Sequence, residues 1–505
     1  MTPAPSPEAD RQVELLGFHD LAPTHRDDRT WTVLHMSALW IGMVVCVPTY
    51  MLAGGLIDLG MSWWQAVATV GLGNLVVLVP MILNGHPGTR YGISFPVLAR
   101  ASFGVVGANV PSLLRGLVAC GWFAIQTWIG GSAMAQLLAA LGAGSVSGPD
   151  LPVLGISGLE LVCFLAFWLL QVVVFWRGIE SIKVLESWAA PFLIAMGLTL
   201  LGWAWVRADG FGPMLSAPAR FSIGQPEFWR VFFPALTGMV GFWATLSLNI
   251  PDFTRFARSQ RDQILGQAIG LPTFMTLFAF IGVAVTSATV VIFGEAIPDP
   301  VVLLGRMGPG VAVMISLLVL VVATLSTNLA ANVVSPANAL VNLSPRRFDF
   351  RRGALATAAL ALVLFPWKLI ESSQGFIFTW LIGYSALLGP IGGILLADYY
   401  LLRKTSLKVS DLYRRSGLYE YKSGYNPKAL IALAVGVAPN VPGFLATAGL
   451  VDSVPAVFAS LYTYAWFVGF VVAGVLYWVL MPSGQVRSPR VGGERQANPS
   501  EDGSD

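Results

Sequence analysis

Long runs of apolar residues, each about 20 to 30 residues in length, recur along the whole chain. Twelve such runs start near Trp31, Ser62, Val110, Ser157, Leu185, Trp229, Ile264, Val311, Gly353, Gly375, Leu430 and Ala456. A helix needs about 20 apolar residues to cross a bilayer, and inside lipid it pairs all its own backbone groups. The runs are too long for the alternating strands of a membrane barrel. The sequence therefore predicts an all-α membrane protein with about 12 transmembrane helices.

The composition excludes several classes of protein. Charged residues make up 11% of the chain, whereas a soluble domain carries about 25%, and hydrophobic residues make up 55%. Too little polar material remains to cover a soluble enzyme, a nucleic-acid binder or a disordered protein. Cys46, Cys120 and Cys163 all lie inside apolar runs, so we expect no disulfide framework.

The distribution of positive charge predicts the orientation in the membrane. An even number of spans puts both termini on one side, and if that side is the cytoplasm, the inner segments hold 24 of the 30 Lys and Arg residues. We therefore expect an integral protein of the plasma (inner) membrane with cytoplasmic termini. Residues 1–30 form a cytosolic tail without a cleavable signal peptide, 31–481 form the transmembrane domain, and 482–505 form a disordered tail.

Two predicted spans contain residues that interrupt helices. The first has Gly42 and Pro48 on either side of Cys46, and the sixth has Gly238 and Pro251. Interrupted helices in transporters expose backbone carbonyls to cations and half-helix ends to substrates. Spans one and six are equivalent in two five-helix halves, which is typical of an inverted-repeat transporter. Gly and Pro are also common in ordinary membrane helices, so this pattern alone leaves both interpretations open.

The eighth span is unusually polar. Asn328 and Asn332 lie four residues apart and therefore share a helix face, and Ser326 and Thr327 lie about one turn below Asn332. Such residues either bond neighbouring helices together or line a binding site. Two amides on one face favour a binding site.

The third span places an indole and an amide together. Trp122 and Gln126 are four residues apart, so both project from one face. An indole stacks on a flat ring, and an amide matches the N–H and C=O edges of a cyclic imide or ureide. Taken alone, such a pair indicates packing between helices more often than ligand binding. Trp243, in the interrupted sixth span, can supply the opposite wall.

No Asp, Glu, Lys, Arg or His lies in the middle of the first, third or eighth span. A charged substrate would need a countercharge there, so we expect a neutral substrate. A coupling ion would be held by carbonyls and hydroxyls, which suits sodium better than a proton. Asp252, Glu160, Glu180 and Glu186 are the alternative proton carriers, although their positions also fit helix-end and loop charges.

Five segments resemble the nucleobase:cation symporter-1 family. They are LWIGMVVCVPTYMLAGG in the first span, RYGISFPVLARASFG after the second, WFAIQTWIGG in the third, STNLAANVVSPAN in the eighth and LADYYLLRK after the tenth. The resemblance implies a five-plus-five inverted repeat, about 31–206 and 229–403, followed by two extra helices at about 430–481. It also implies import of hydantoins, allantoin, cytosine, uracil, purines or vitamin-like heterocycles with sodium or protons.

The same resemblance implies a role for individual residues. Trp122 and Trp243 resemble the two indoles that sandwich the substrate in a sodium-coupled hydantoin transporter, and Gln126 and Asn332 resemble the amides that bind the ring edge. Its sodium site corresponds to five positions, which are the main-chain carbonyls of Gly42, Val45 and Ala323 and the hydroxyls of Ser326 and Thr327.

Two positions of the substrate site depart from that transporter. Cys46 replaces a Gln, which removes a polar contact, and Phe242 replaces a Gly, which adds bulk beside the pocket. Both changes bear on which ring is bound.

We therefore expect a secondary active transporter, and not an enzyme, that imports a neutral nucleobase-like heterocycle by cation symport through alternating access. We expect a monomer that binds lipid and a small ring but no nucleic acid, and that needs no cofactor beyond a coupling ion. The alternatives are proton coupling, an amino-acid carrier of the same architecture, and a passive facilitator.

Overall fold

The computed structural model describes residues 21–481, except 144–145, 147–149, 178 and 345–346; of 179–189, 330 and 338 it describes only the backbone. Residues 1–20 of the predicted N-terminal tail and the predicted disordered tail 482–505 lie outside the described residues. So do the side chains of Glu180 and Glu186. The expectations for these parts stay predictions.

The described chain is helical and contains no strand, only isolated bridges. We label as α1 to α12 the helices that correspond to the predicted spans, and we keep one label where a helix is broken. They are α1 (Val33–Val44 and Val47–Asp58), α2 (Trp63–Tyr91), α3 (Asn109–Ala140), α4 (Gly158–Arg177), α5 (Ile179–Arg207), α6 (Pro226–Phe242 and Ala244–Asn249), α7 (Gln260–Phe293), α8 (Val311–Asn332 and Val334–Leu343), α9 (Phe350–Ala361), α10 (Gly375–Leu402), α11 (Pro427–Thr447) and α12 (Ala456–Thr463 and Ala465–Leu480). Short helices between them are Phe95–Phe103, Phe211–Met214, Pro251–Thr254, Pro300–Arg306, Pro366–Leu369 and Val409–Leu412.

Eight helices of the described chain are long and apolar enough to cross a membrane, and ten spans result if each bent pair is one span. The bent pairs are α1, with an angle of 60°, and α12, with an angle of 90°. The helix α9 and each segment of α6 are shorter than a full span. The first segment of α6 ends at Phe242, and α9 ends at Ala361 before Phe365 adopts a left-handed φ of 45° ahead of Pro366. The all-α fold is confirmed, whereas the count of twelve is consistent with the structure and stays a prediction.

Proline accounts for the break in α1. The carbonyl of Val44 would normally accept a hydrogen bond from residue 48, but Pro48 has no N–H to donate. Cys46 instead donates its backbone N–H to that carbonyl at 3.0 Å, and Val45 and Cys46 leave the helical conformation. The chain resumes as a helix at Val47, so the predicted interruption is confirmed.

The predicted interruption of α6 is confirmed as well, and α8 has a further break. The two segments of α6 meet at Trp243, with φ −98° and ψ 5°. The two segments of α8 meet at Val333, immediately after Asn332, with φ −100° and ψ −45°. Both breaks lie next to residues that the sequence singled out for substrate binding.

The broken helices α1 and α8 pack against long neighbouring helices. The helix α3 packs against α8, α2 packs against α7, and α7 runs along both halves of α1. In the predicted repeat, α3 and α8 would be equivalent helices, as would α2 and α7, and their pairwise packing is consistent with that prediction. Apolar side chains cover outward faces, such as Leu75 and Val79 of α2 and Ile315 and Leu318 of α8. Such surfaces suit lipid rather than water.

Candidate substrate and cation site

Trp122 lies at the centre of a buried aromatic cluster. Its indole is 6% exposed and makes edge contacts with four rings. These rings are Phe242 at a centroid distance of 5.3 Å, Trp380 at 6.0 Å, Phe376 at 6.1 Å and Tyr384 at 6.2 Å. Three of them belong to α10, which the sequence analysis did not connect with the site. The face of α3 that carries Trp122 is therefore enclosed by α6 and α10.

Phe242 contacts both indoles that are predicted to sandwich the substrate, Trp122 and Trp243. Its ring makes edge contacts with Trp122 at 5.3 Å and with its chain neighbour Trp243 at 5.0 Å. The two indoles are not in ring contact with each other; Phe242 links them. The added bulk expected at this position is therefore present, because a phenyl ring occupies space that a glycine would leave open.

Trp243 is held by a hydrogen bond. Its indole Nε1 donates to Oδ1 of Asn74 on α2 at 2.9 Å, and Nδ2 of Asn74 donates to the Val70 carbonyl at 2.7 Å. Trp40 of α1 adds an edge contact at 5.2 Å. Because its only polar atom is already paired, Trp243 can offer a ligand an aromatic face but no free donor.

The amides of Gln126 and Asn332 lie on two helices that pack together, α3 and α8. Gln126 is 5% exposed, and its side-chain amide makes no hydrogen bond with any other described residue. Asn332 is 7% exposed and donates from Nδ2 to Oδ1 of Asn328 at 3.0 Å, which confirms that the two asparagines share a face. Asn332 ends the first segment of α8 at its break.

Asn328 belongs to a fully buried network that the sequence did not predict. Its Nδ2 donates to the Phe123 carbonyl at 3.0 Å and to Oε1 of Gln171 at 2.7 Å. Nε2 of Gln171 donates to Oγ1 of Thr127 at 2.9 Å. Gln171 lies on α4, and only the folded chain brings it beside α3 and α8. No spacing along the sequence signals this contact.

The break in α1 leaves carbonyl oxygens without partners. Within the described chain, no N–H or O–H donates to the carbonyls of Gly42, Met43 or Val45. The end of the second α6 segment differs, because Nδ2 of Asn84 donates to the carbonyls of Ser247 and Leu248, each at 2.7 Å. A buried carbonyl without a donor is costly, so the α1 break suits a cation better than the end of α6.

The hydroxyls expected to complete the cation site lie on α8, which packs against the first half of α1. Ser326 is fully buried, and its Oγ has no hydrogen-bond partner in the described chain. Thr327 is 9% exposed, and Ala323 is buried beside them on the same helix. An unpaired buried hydroxyl is a suitable oxygen ligand for a hard cation.

Cys46 lies at this break and not in a metal cluster. Its Sγ is 3.2 Å from Oγ1 of Thr49, one turn into the second half of α1. The described residues contain no group of three His, Cys, Asp or Glu side chains placed to hold a metal ion.

Two of the four alternative proton carriers have structural partners. Glu160 accepts from the backbone N–H of Ser157 at 2.9 Å and so caps the start of α4. Asp252 accepts from the backbone N–H of Phe95 at 2.7 Å and from Nδ2 of Asn249 at 3.3 Å. Asn249 in turn accepts from Nη2 of the buried Arg115 at 3.2 Å. These partners fit the helix-end roles that the sequence also allowed.

Broken membrane helices that carry buried aromatic and amide side chains are typical of secondary transporters, because such breaks supply the polar backbone that a midplane site needs. The family follows from comparison with known proteins. A family model described as a permease for cytosine/purines, uracil, thiamine and allantoin matches residues 23–469. The chain belongs to this family, the nucleobase-cation-symport-1 transporters.

Relatives and solved structures agree with this family. The chain is 53% identical over 464 residues to the purine-uracil permease NCS1 of Arabidopsis thaliana, covering 92% of this chain and 77% of the relative. It is 42% identical over 477 residues to the allantoin permease of Bacillus subtilis, covering 94% and 95%. The inward-facing conformation of Mhp1 matches with a TM-score of 0.74 and 26% identity, covering 92% and 93%. A closed conformation of Mhp1 with bromovinylhydantoin bound matches with a TM-score of 0.73, covering 92% and 95%. The predicted family and transporter fold are confirmed.

Proposed function

We propose that this protein is a secondary active transporter that imports a neutral nucleobase-like heterocycle by cation symport through alternating access. The observation that carries the proposal is the uncharged lining of α3: the buried aromatic cluster around Trp122 lies on the helix that also carries Gln126, and α8, which carries Asn332, packs against this helix. Allantoin, hydantoin, uracil and cytosine form the substrate class that such a site suits. The purine-uracil and allantoin permeases and the hydantoin-bound Mhp1 support the same class.

In this proposal the ring of the substrate binds against Trp122 and Trp243. Gln126 binds one edge of the ring. Its buried amide has no partner among the described residues, so it gains most from a ligand that pairs with both its donor and its acceptor. Asn332 reads a second edge. Phe242 limits the size of the ring, and Cys46 lines the site beside the α1 break.

The coupling ion in this proposal is sodium. It binds between α1 and α8 through the carbonyls of Gly42, Val45 and Ala323 and the hydroxyls of Ser326 and Thr327. Support comes from the unpaired carbonyls at the α1 break and from the unpaired hydroxyl of Ser326. An ion held by both helices stabilises the arrangement in which they approach each other, which couples ion binding to the conformational change.

The proposal extends to the arrangement in the membrane. The transporter is a monomer in the plasma membrane with both termini in the cytoplasm. Residues 31–206 and 229–403 form the two inverted repeats, and 430–481 form the extra helices. The excess of Lys and Arg in the inner segments supports this orientation.

Uptake into proteoliposomes tests the substrate class. Proteoliposomes that contain the purified protein receive external labelled hydantoin, allantoin or uracil. Inward gradients of both sodium and protons are applied, and unlabelled rings or amino acids serve as competitors. We expect uptake of at least one ring, competition by other rings and no competition by amino acids. Uptake of an amino acid in place of every ring would overturn the proposal.

A further inference from the structure

A buried arginine lies on the face of α3 that carries two of the proposed substrate residues. Arg115 precedes Trp122 by seven residues and Gln126 by eleven, and these spacings place all three on one side of the helix. It lies about 10 Å along α3 from Trp122, toward the end at which the helix begins. In the proposed orientation that end is cytoplasmic. Arg115 therefore lies, along α3, between the substrate site and the cytoplasm.

The guanidinium of Arg115 is only partly compensated. The residue is 2% exposed, and its Nη2 donates to Oδ1 of Asn249 at 3.2 Å. Its Nε and Nη1 have no hydrogen-bond partner in the described chain. An arginine stays charged in proteins, and burial of a charge without a full set of partners is costly. This conformation therefore carries an unfavourable contribution from Arg115.

Asn249 joins Arg115 to a carboxylate. Its Oδ1 accepts from Arg115, and its Nδ2 donates to Oδ2 of Asp252 at 3.3 Å. Oδ1 of Asp252 accepts from the backbone N–H of Phe95 at 2.7 Å. Because both carboxylate oxygens accept, the geometry fits the ionised form. The negative charge of Asp252 thus offsets part of the cost of burying Arg115.

The end of α6 is fastened to α2. Oγ1 of Thr254 donates to the Gly85 carbonyl at 2.8 Å, and Oγ1 of Thr89 donates to the Thr254 carbonyl at 2.9 Å. Asn249 and Asp252 lie in the same stretch of chain as Thr254. Both residues therefore belong to one unit with α2.

The other side of the contact belongs to α3 and α8. These two helices pack together, and Arg115 lies on α3. The short helix Phe95–Phe103 is joined to α8, because Nη2 of Arg100 donates to Oδ1 of Asn342 at 2.9 Å. The contacts that Asn249 and Asp252 make therefore join α2 and α6 to α3 and α8 on the cytoplasmic side.

We infer that the buried charge of Arg115 favours opening of the cytoplasmic side, whereas Asn249 and Asp252 hold this side closed. Separation of α6 from α3 admits water to Nε and Nη1 of Arg115, which removes the cost of their burial. Closure regains the bond to Asn249 and the attraction of Asp252. The inference rests on the alternating access and orientation of the proposed function, but it concerns the equilibrium between conformations and not the ring that is bound.

The thiol of Cys46 can report this equilibrium. Cys46 lies at the α1 break in the proposed site, and replacing Cys120 and Cys163 by alanine leaves it as the sole cysteine. The rate at which a membrane-impermeant maleimide alkylates Cys46 is measured in inside-out and right-side-out vesicles from cells that express the full chain. Alkylation in inside-out vesicles requires an open cytoplasmic side.

Asn249→Leu removes the bridge and leaves the charge of Arg115 stranded. We expect alkylation of Cys46 in inside-out vesicles to become at least about tenfold faster than in the parent, with no increase in right-side-out vesicles. Asn249→Ala serves the same purpose if the leucine variant does not fold. An unchanged rate in a folded variant, or an equal increase from both sides, would overturn the inference.

Removal of the charge itself is the decisive comparison. Arg115→Met keeps an apolar side chain but carries no charge, so we expect no acceleration. When Arg115→Met is combined with Asn249→Leu, no charge is stranded, and we expect a rate within about threefold of the parent. Hydrogen bonds that only join the helices would instead predict acceleration in Arg115→Met and in the double variant. Either acceleration would overturn the inference.

Arg258→Met is the matched control. Arg258 is exposed and pairs with Asp262 of α7 at 3.4 Å, so loss of its charge should leave the alkylation rate at the parent value. Uptake of rings by the parent tests the proposed function separately. Absence of uptake together with the expected alkylation rates would overturn the proposed substrate class but support the inference about Arg115.

Discussion

The indole N–H of Trp243 donates to Oδ1 of Asn74, 2.9 Å away on the neighbouring helix. The bond joins the break of α6 to α2, which packs against it. Since Asn74 is 0% exposed, no water competes for its oxygen. The orientation of one proposed wall of the substrate site therefore depends on a residue that does not line the aromatic cluster.

We expect Asn74→Leu to weaken binding of the transported ring by about 1–2 kcal/mol, because it strands the buried N–H of Trp243 and releases the indole. Isothermal titration with hydantoin or uracil measures the change. Asn74→Asp keeps an acceptor oxygen and should lose less affinity. If Asn74→Leu binds the ring with the same affinity as the parent protein, the Asn74–Trp243 bond does not orient the site.

We expect Phe242→Ala to broaden the range of substrates. Removing the phenyl ring opens space between Trp122 and Trp243, and a larger ring substituent can fill it. The measurement is the affinity for 5-benzylhydantoin relative to hydantoin, which should rise at least about tenfold if the substituent buries the area that Phe242 now covers. If the ratio of the two affinities is the same in Phe242→Ala as in the parent, the phenyl ring does not border the bound substrate.

We expect Asn332→Ala to weaken substrate binding by about 1–3 kcal/mol, because the substitution leaves buried polar groups of Asn328 and of the ring unpaired. Equilibrium binding to purified protein measures this loss, and a thermal melt checks that the fold is intact. A variant that folds and binds like the parent would show that the substrate lies elsewhere.

We expect the stability of the protein to depend on pH through the buried carboxyl of Asp252. Burial raises the pKa of this carboxyl above its ordinary value of 3.8, against the opposing effects of the Phe95 hydrogen bond and of nearby Arg255 and Arg115. The folded protein therefore binds this proton more tightly than the unfolded chain. The free energy of unfolding consequently falls as the pH rises from 3.8 through the raised pKa.

We expect Asp252→Asn to reduce this fall, because asparagine does not titrate and its Oδ1 can still accept from Phe95. Thermal melts of parent and variant in detergent, recorded over a pH series that starts near 3.8, provide the comparison. Identical pH dependence in the two proteins would show that Asp252 does not contribute the effect.

Much of the fold follows from the sequence because membrane helices obey simple rules. Apolar length predicts the spans, and Pro48 removes a backbone donor at the place where α1 breaks. Helical spacing predicts the Asn328–Asn332 pair, because side chains four residues apart share a face whatever surrounds them. The early end of α9 did not follow, since its apolar run continues beyond Ala361, where the helix ends.

The supporting contacts of the site could not be predicted. Asn74, Gln171 and Trp380 come from helices that approach α3, α6 and α8 only in the folded chain, and each is an ordinary residue in its own span. Their roles depend on distances between helices, which no periodicity along one helix contains. The sequence thus indicated groups that face the proposed ligand but not the groups that hold them.

Ion-driven accumulation in proteoliposomes tests the central claim most directly. With an inward sodium gradient and no pH gradient, we expect the parent to concentrate the labelled ring above its external level. Ser326→Ala should abolish accumulation, whereas Ser316→Ala, at a buried serine nearer the start of α8, should preserve it. Accumulation driven by a proton gradient alone, and unaffected by sodium or by Ser326→Ala, would contradict the account.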